Sequence, residues 1–373
     1  MKIKNAKVFQ PNGDFVEQDL FVAGSYITQQ ENHDETIDAQ GCYAIPGLID
    51  LHFHGCVGYD FCDAASEALT AMAEYEAKNG VLAICPATVT LPEETLTKVC
   101  KCAASYSDMP RHADLVGINL EGPFISTEKK GAQNPQYIQK PNVNLFRHLQ
   151  TASGNLIRIL DFAPEQEGAM ELIDELKNEV VLSIAHTTAD YDIASKAFAA
   201  GASHVTHLYN AMPAFAHRNP GVVGAAFDAP ECHVELIADG VHVHPSMVRA
   251  TFQLFGDDRV ILISDSIAAT GMPDGDYELG GLAVRVKGNR SILRDGGAIA
   301  GSATNLMQCV RTAVKEMGIP LSSAVKCASV NPAKELGIFD RYGSLEAGKY
   351  ANIVLLDDAL NINHIIQKGR VIS

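Results

Sequence analysis

The run Ile49-Asp50-Leu51-His52-Phe53-His54-Gly55 places two imidazoles two residues apart in an apolar, β-like context. Side chains alternate faces along a strand. His52 and His54 are therefore expected to point one way, with Asp50 one step deeper on that face, and Ile49, Leu51 and Phe53 to enter an apolar layer. Two histidines at a strand's C-terminal end can grip a metal ion, although two hydrogen-bonded core histidines would give the same pattern. Metal-ligand residue types recur where other strand-like runs end, and that recurrence favours the metal. Glu121 closes Asn119-Leu120-Glu121 before Gly122-Pro123, His186 closes Ser183-Ile184-Ala185-His186, and His207 closes Val205-Thr206-His207. Asp265 follows Ile261 and Ile263 on their face, whereas His204 falls opposite His207 and reads as structural. One carboxylate and two imidazoles from three strands suit a divalent transition metal with an open position for water. Such a metal brings the pKa of its water to about 7. An aspartate beside that water can act as general base and then as general acid. The pattern points to metal-dependent hydrolysis.

These residues need a frame that brings many strand ends together. Strand-like runs lie at Ile45–His54, Val81–Val89, Asp114–Glu121, Leu156–Phe162, Val180–His186, Ser203–His207, His233–Ala238 and Val260–Asp265. Helical patterns with spacings of three and four fall between them, at Ser66–Asn79, Gly168–Lys177 and Pro245–Phe255. Eight strand-then-helix units predict an α/β protein with a (β/α)8 TIM barrel over residues 45–337, whose chemistry sits at the strand C-terminal ends. Tyr277–Ala300 reads as an inserted β excursion and Asn305–Met317 as the closing helix. Residues 1–44 and 338–373 carry short β runs separated by turns. Neither end has enough strands for a sheet of its own, so both are expected to pair into one small β domain.

Composition bounds the functions available. The chain has 373 residues, 47% hydrophobic and 20% charged, as an ordinary globular protein does. Its formal charge of -16 argues against nucleic acid or an anionic membrane as partner, and an anionic small-molecule substrate would need positive charge from the site itself. The N-terminal Met1-Lys2-Ile3-Lys4-Asn5 lacks a signal-peptide core, and no apolar run approaches a membrane span. Nine scattered cysteines without a Cys-x-x-Cys pair suggest neither a disulfide framework nor a structural zinc site, which fits a reduced cytoplasm. Cys56, just past the histidines, reads as a buried small hydrophobe.

Several longer segments carry a family resemblance: Pro46-Gly47-Leu48 running into the His52/His54 motif, Leu120-Glu121-Gly122-Pro123-Phe124, Lys130-Gly131-Ala132-Gln133-Asn134-Pro135, Thr206-His207-Leu208-Tyr209-Asn210-Ala211-Met212, Ala238-Asp239-Gly240-Val241-His242-Val243 and Ala300-Gly301-Ser302. On these the chain resembles the amidohydrolase superfamily and, within it, the family of N-acetylglucosamine-6-phosphate deacetylases, over essentially its full length. The resemblance implies a metal-bearing barrel with a small β-sandwich built from both chain ends. It also implies hydrolysis of N-acetyl-D-glucosamine 6-phosphate to D-glucosamine 6-phosphate and acetate, in amino-sugar catabolism and cell-wall recycling. By the family pattern Glu121, His186 and His207 hold the main metal, Asp265 is the catalytic aspartate and His242 polarises the acetyl carbonyl. Asn210, Ala211 and Arg218 match sugar-phosphate-binding positions, and Ala132, Gln133, Ile299, Ala300 and Gly301 match substrate-lining ones. A homodimer is implied, whose partner can contribute to the phosphate site.

This chain keeps both His52 and His54, which single-metal members often replace, so one or two ions per chain are expected, with Glu121 as a possible bridge. Zinc or iron is expected, with manganese or cobalt also compatible. Gln133 stands where other members carry a substrate-contacting histidine. Ser264-Asp265-Ser266 and His186-Thr187-Thr188 depart from the usual triplets without removing a reactive group. The remaining histidines, His33, His112, His148, His217, His233, His244 and His364, read as surface or packing residues. The alternatives are deacetylation of the galactosamine epimer, a cyclic-amide hydrolase or deaminase of the same superfamily, and a catalytically silent barrel.

Overall fold

The computed structural model describes residues 1–31, 35–107 and 109–373, so His33 lies outside the described residues. Parallel strands form its centre: Leu48–Asp50, Val81–Ile84, a third strand in two pieces (Asp114–Leu115 and Ile118–Glu121), Ile157–Phe162, Val181–Ile184, His204–Val205, His233–Ile237 and Val260–Ile263. Each pairs with the next, and a bridge from Ala87 to Asn119 carries the pairing past the break in the third strand. The ring closes where the Asp265 N–H donates to His52 O at 2.9 Å and the His54 N–H to Ser266 O at 2.7 Å. The fold is thus the TIM-barrel type of α/β protein that the alternating pattern predicts.

Ile49, Leu51, Ile159, Ile237, Ile261 and Ile263 form one buried cluster with Ala333, Leu336, Ile338 and Tyr342 packed into it. Full burial of each such isoleucine contributes about 1.5–3 kcal/mol relative to exposure. The helices bury their periodic faces as expected. Pro245–Phe255 has the expected bounds, buries Val248, Thr251 and Phe255, and is capped by the His244 side chain accepting from the Ser246 N–H. The excursion is a three-stranded antiparallel sheet, Gly275–Leu279, Leu282–Lys287 and Arg290–Leu293.

Both chain ends enter one sheet. Its path runs Arg370–Val371, Ile362–Gln367, Ile353–Leu356, Tyr43–Pro46, Lys2–Phe9, Phe15–Ala23 and Tyr26–Thr28, with Thr36–Asp38 also on Lys2–Phe9. Ile3, Val8, Leu20, Val22, Ile353 and Ile366 share its separate apolar cluster.

The expected strand Ile45–His54 is two strands. Tyr43–Pro46 belongs to the end sheet, antiparallel to Ile353–Leu356, and Leu48–Asp50 begins the barrel. Gly47 is the joint: its N–H donates to Asn352 O, and a Cβ there would lie 2.7 Å from Leu82 Cδ1. Regular strand structure ends at Asp50, so strict alternation does not carry through to His54. Asp50 accordingly leaves the face expected of it. Its Oδ2 accepts from Ser264 Oγ at 2.5 Å, and Oδ1 accepts from the His52 N–H at 3.3 Å. Phe53 also separates from Ile49 and Leu51 and joins the larger apolar cluster.

Candidate metal centre

A common rule places most of the site residues: they stand two positions beyond the last residue of a strand. Val181–Ile184 is followed by His186, His204–Val205 by His207, Val260–Ile263 by Asp265, and Leu48–Asp50 by His52. Only Glu121 is a terminal strand residue itself, in Ile118–Glu121. His186, His207 and Asp265 have φ of 43°, 30° and 49°, in the left-handed region. Such conformations cost about 1–3 kcal/mol each in non-glycine residues and persist where surrounding structure holds them. The strand turns sharply there, and each side chain is delivered into the barrel mouth.

The delivered groups form two triads, Glu121/His186/His207 and His52/His54/Asp265, all buried, with the ligand atoms of each triad within 4.8 Å of one another. Glu121 lies between them. Its Oε1 is 3.1 Å from His186 Nε2, 3.2 Å from His207 Nε2 and 3.6 Å from His52 Nε2, while Oε2 is 3.5 Å from His54 Nε2. Asp265 Oδ1 is 3.2 Å from His54 Nε2 and 3.8 Å from His52 Nε2.

The arrangement fits a bound cation. His186 Nδ1 faces Lys129 O at 2.9 Å, His54 Nδ1 faces Ala87 O at 3.3 Å, and His52 Nδ1 faces Glu235 Oε2 at 2.9 Å. A ring nitrogen facing a carbonyl carries the proton, which leaves the Nε2 lone pair free to ligate. His52 Nε2 is buried with no hydrogen-bond partner among the described residues, and His186 and His207 bring their Nε2 atoms to 3.1 Å of each other. The carboxylates call for positive charge at this spot. Burial works to lower the His54 pKa, yet Asp265 and Glu121 outweigh it and raise it to about 9. Burial likewise works to raise Glu121, but His186 and His207 hold it well below the usual carboxylate range.

A cavity of about 270 Å³ opens onto this centre. His54, Glu121, His186, His207 and Asp265 face it, with Ala132, Gln133, Asn210, Ala211, His242, Ile299 and Gly301 around them. His52 lies beneath, and Ala300 is fully buried. Gly301 lets its loop approach Asp265: its φ is 56°, and a Cβ there would lie 2.8 Å from Asp265 O and 2.6 Å from Ile267 Cγ2. Gln133 donates to Glu121 Oε2 at 2.5 Å and accepts from the Thr90 N–H at 2.6 Å, so its amide is committed to Glu121. Arg218 is not among the cavity's residues. It is exposed, contacts His217 Nε2 at 2.8 Å, and lines a separate cleft with Asp190, Tyr191 and Asn219. The exposed loop after Pro213 carries it outward.

Several participants were not marked in the sequence. Leu279 and Ala298, from the inserted excursion, complete the cavity wall. Asp239 accepts from His242 Nδ1 at 2.8 Å and from the backbone N–H groups of Val241 and His242. Burial works to lower the His242 pKa, but Asp239 outweighs it and raises it. Glu235 stands behind His52, a carboxylate in an apolar strand, and that contrast was visible in Val234-Glu235-Leu236-Ile237. His204 contacts Ser183 Oγ at 3.0 Å, and burial lowers it to about 4, in keeping with its structural reading. Cys56 is fully buried and all nine cysteines are free thiols.

The amidohydrolase family model matches residues 43–372. The chain belongs to the amidohydrolase family. Among its relatives, the N-acetylglucosamine-6-phosphate deacetylase of Bacillus subtilis (strain 168) is 38% identical over 332 residues, 88% of this chain and 84% of the relative. The N-acetylgalactosamine-6-phosphate deacetylase of Escherichia coli O157:H7 is 36% identical, over 88% of this chain and 87% of the relative. A solved structure of an N-acetyl-D-glucosamine-6-phosphate deacetylase mutant from Mycobacterium smegmatis, in complex with N-acetyl-D-glucosamine-6-phosphate, superposes with a TM-score of 0.92. It is 32% identical, and the match covers 100% of this chain and 98% of that one. The amidohydrolase family is metal-dependent, and the two buried His/carboxylate triads are groups that could hold a metal ion.

Proposed function

We propose that this amidohydrolase hydrolyses N-acetyl-D-glucosamine 6-phosphate to D-glucosamine 6-phosphate and acetate. The observation that carries the reading is the convergence of Asp265, His242 and the two triads on one cavity. The names of the relatives point to a phosphorylated N-acetyl amino sugar as substrate. A bound divalent metal, zinc or iron by preference, with manganese or cobalt also compatible, would supply Lewis-acid polarisation and a water that is acidic near neutrality. Asp265 takes the proton of the attacking water. His242, held through Nδ1 by Asp239, donates from Nε2 to the acetyl oxygen as negative charge develops there, a role worth about 3–4 kcal/mol per well-placed donor. Asp265 then returns its proton to the leaving amine. Asn210, Ala211, Ile299 and Gly301 shape the cavity around the sugar. Acetate release measured across N-acetylglucosamine and N-acetylgalactosamine, with and without the 6-phosphate, tests the reading. Preference for the galacto sugar would select the second reading, which the 36% identical Escherichia coli relative keeps open.

Both triads are proposed to hold metal. Fully loaded protein is then expected to contain two ions per chain, and a His52→Ala/His54→Ala double variant one, because Glu121, His186 and His207 remain. Elemental analysis after metal-replete purification measures this. One ion in both proteins would leave His52 and His54 as core histidines.

The phosphate end of the substrate involves a second subunit in this reading. Arg218 lies outside its own chain's cavity, on an exposed loop that also carries the exposed Phe215. In this reading the loop enters the partner's site in a homodimer. Arg218→Ala is expected to cost about 1.5–3 kcal/mol with phosphorylated substrate, the range for hydrogen bonds to charged groups. Mixing it with an inactive Asp265→Asn subunit should restore one native site in each hybrid dimer. Absence of any recovery in verified hybrids would place Arg218's contribution elsewhere. We also take the two-ended sheet to be the β-sandwich domain, spanning 1–44 and 338–373 beside a 45–337 barrel. The protein is taken to work in the cytoplasm, and no described helix is long and apolar enough to cross a membrane.

A further inference from the structure

Glu235 is a fully buried carboxylate in the strand His233–Ile237, flanked by the buried Val234, Leu236 and Ile237. One of its oxygens, Oε2, lies 2.9 Å from His52 Nδ1 and accepts from the His207 backbone N–H at 3.0 Å. These two partners belong to different triads. Oε2 accepts from the His207 N–H, and as a carboxylate oxygen it also accepts from His52 Nδ1–H, the arrangement of a carboxylate behind a ligating imidazole. That tautomer leaves the His52 Nε2 lone pair facing Glu121 Oε1 and Asp265 Oδ1, at 3.6 and 3.8 Å.

We propose that Glu235 is a positioning residue for both triads: a single carboxylate oxygen sets the tautomer and orientation of His52 and pins the left-handed turn that presents His207. The assignment rests on the metal-dependent reading above. A carboxylate behind a ligating imidazole fixes the ring and raises the basicity of its other nitrogen. Here the same oxygen also ties the imidazole to the backbone of the second triad, so the two triads share one anchor.

The substitutions separate these effects. In Glu235→Gln the side chain keeps its shape, but the amide can rotate and donate to His52 Nδ1, which puts the histidine's proton on the ligating nitrogen. Glu235→Leu removes both hydrogen bonds. Glu76→Gln is the control. Glu76, on the helix Ser66–Lys78, is also fully buried, and neither of its oxygens has a hydrogen-bond partner among the described residues, yet it belongs to neither triad.

The test titrates metal-free full-length protein with Zn²⁺ against a chromophoric chelator and records the visible spectrum of the Co²⁺-substituted forms. Wild type and Glu76→Gln are expected to bind alike. Glu235→Gln is expected to bind about 10–100-fold more weakly, the range for losing such an outer partner, with an altered Co²⁺ spectrum. Glu235→Leu should lose more, and if it fails to fold, Glu235→Gln alone decides. Wild-type affinity and an unchanged Co²⁺ spectrum in Glu235→Gln would overturn the assignment. Equal weakening in Glu76→Gln would do so too, by showing a general effect of buried carboxylates. Wild-type protein that binds neither metal would instead overturn the metal-dependent reading, and this inference with it.

Discussion

Asp265→Asn is expected to lower kcat by about 10²–10⁴-fold, the range for loss of a positioned general acid-base group, while the Glu121/His186/His207 triad keeps its metal. Asparagine has nearly the shape of aspartate and is among the residues that best tolerate left-handed φ, so the turn at 49° survives. What it loses is a group that can take up a proton. Burial works to raise the Asp265 pKa, but His54 and His52 outweigh it and lower it, so its carboxylate stands ready as an acceptor. Its Oδ1 lies 3.2 Å from His54 Nε2 at the cavity wall. Turnover and metal content measured on the same preparation separate the two roles. A near-native rate in metal-replete Asp265→Asn protein would remove Asp265 from the proton transfers.

Glu121→Gln is expected to be the more damaging change, taking metal content below one ion per chain and turnover to background. Glu121 is the carboxylate that faces both triads, with Oε1 towards His186, His207 and His52 and Oε2 towards His54. An amide at this position offers one oxygen and no charge, and its NH₂ would confront either the histidine nitrogens or the Gln133 amide, which already donates to Oε2. Removing one partner from a buried charged cluster typically costs about 3–5 kcal/mol. Metal analysis after equilibration with limiting Zn²⁺, read against the His52→Ala/His54→Ala variant, ranks the two. Glu121→Gln protein that retains two ions would show that neither triad depends on this carboxylate.

The barrel is legible because strand and helix periods alternate along residues 45–337, and the convergence of the candidate site residues because ligand residue types recur where apolar runs stop. What the periodicity could not show was how the runs end. Alternation makes His186, His207 and Asp265 terminal strand residues, but each lies two positions beyond its strand in a left-handed turn, a conformation that non-glycine side chains rarely adopt and that leaves no mark on an alternating pattern. Alternation misplaces Asp50 for the same reason, because no regular strand exists over 51–54. Arg218 illustrates another limit. A motif match says which residue resembles a phosphate ligand, whereas the path of the loop after Pro213 takes Arg218 to a cleft separate from the cavity. Glu235 and Asp239 lie behind His52 and His242, so recognising them requires knowledge of which strands and loops are neighbours.

The pairing of Tyr43–Pro46 with Ile353–Leu356 has a consequence for how the protein is made. On the ribosome the first of these strands emerges about 300 residues before its partner. At ~5–20 residues per second that interval is roughly 15–60 s. For that time the nascent chain carries an unsatisfied β edge, the feature on which strands of other molecules dock. A ribosome that stalls before residue 353 would therefore release most of a barrel joined to an open, sticky ribbon. Strands made late act as the seal on strands made early.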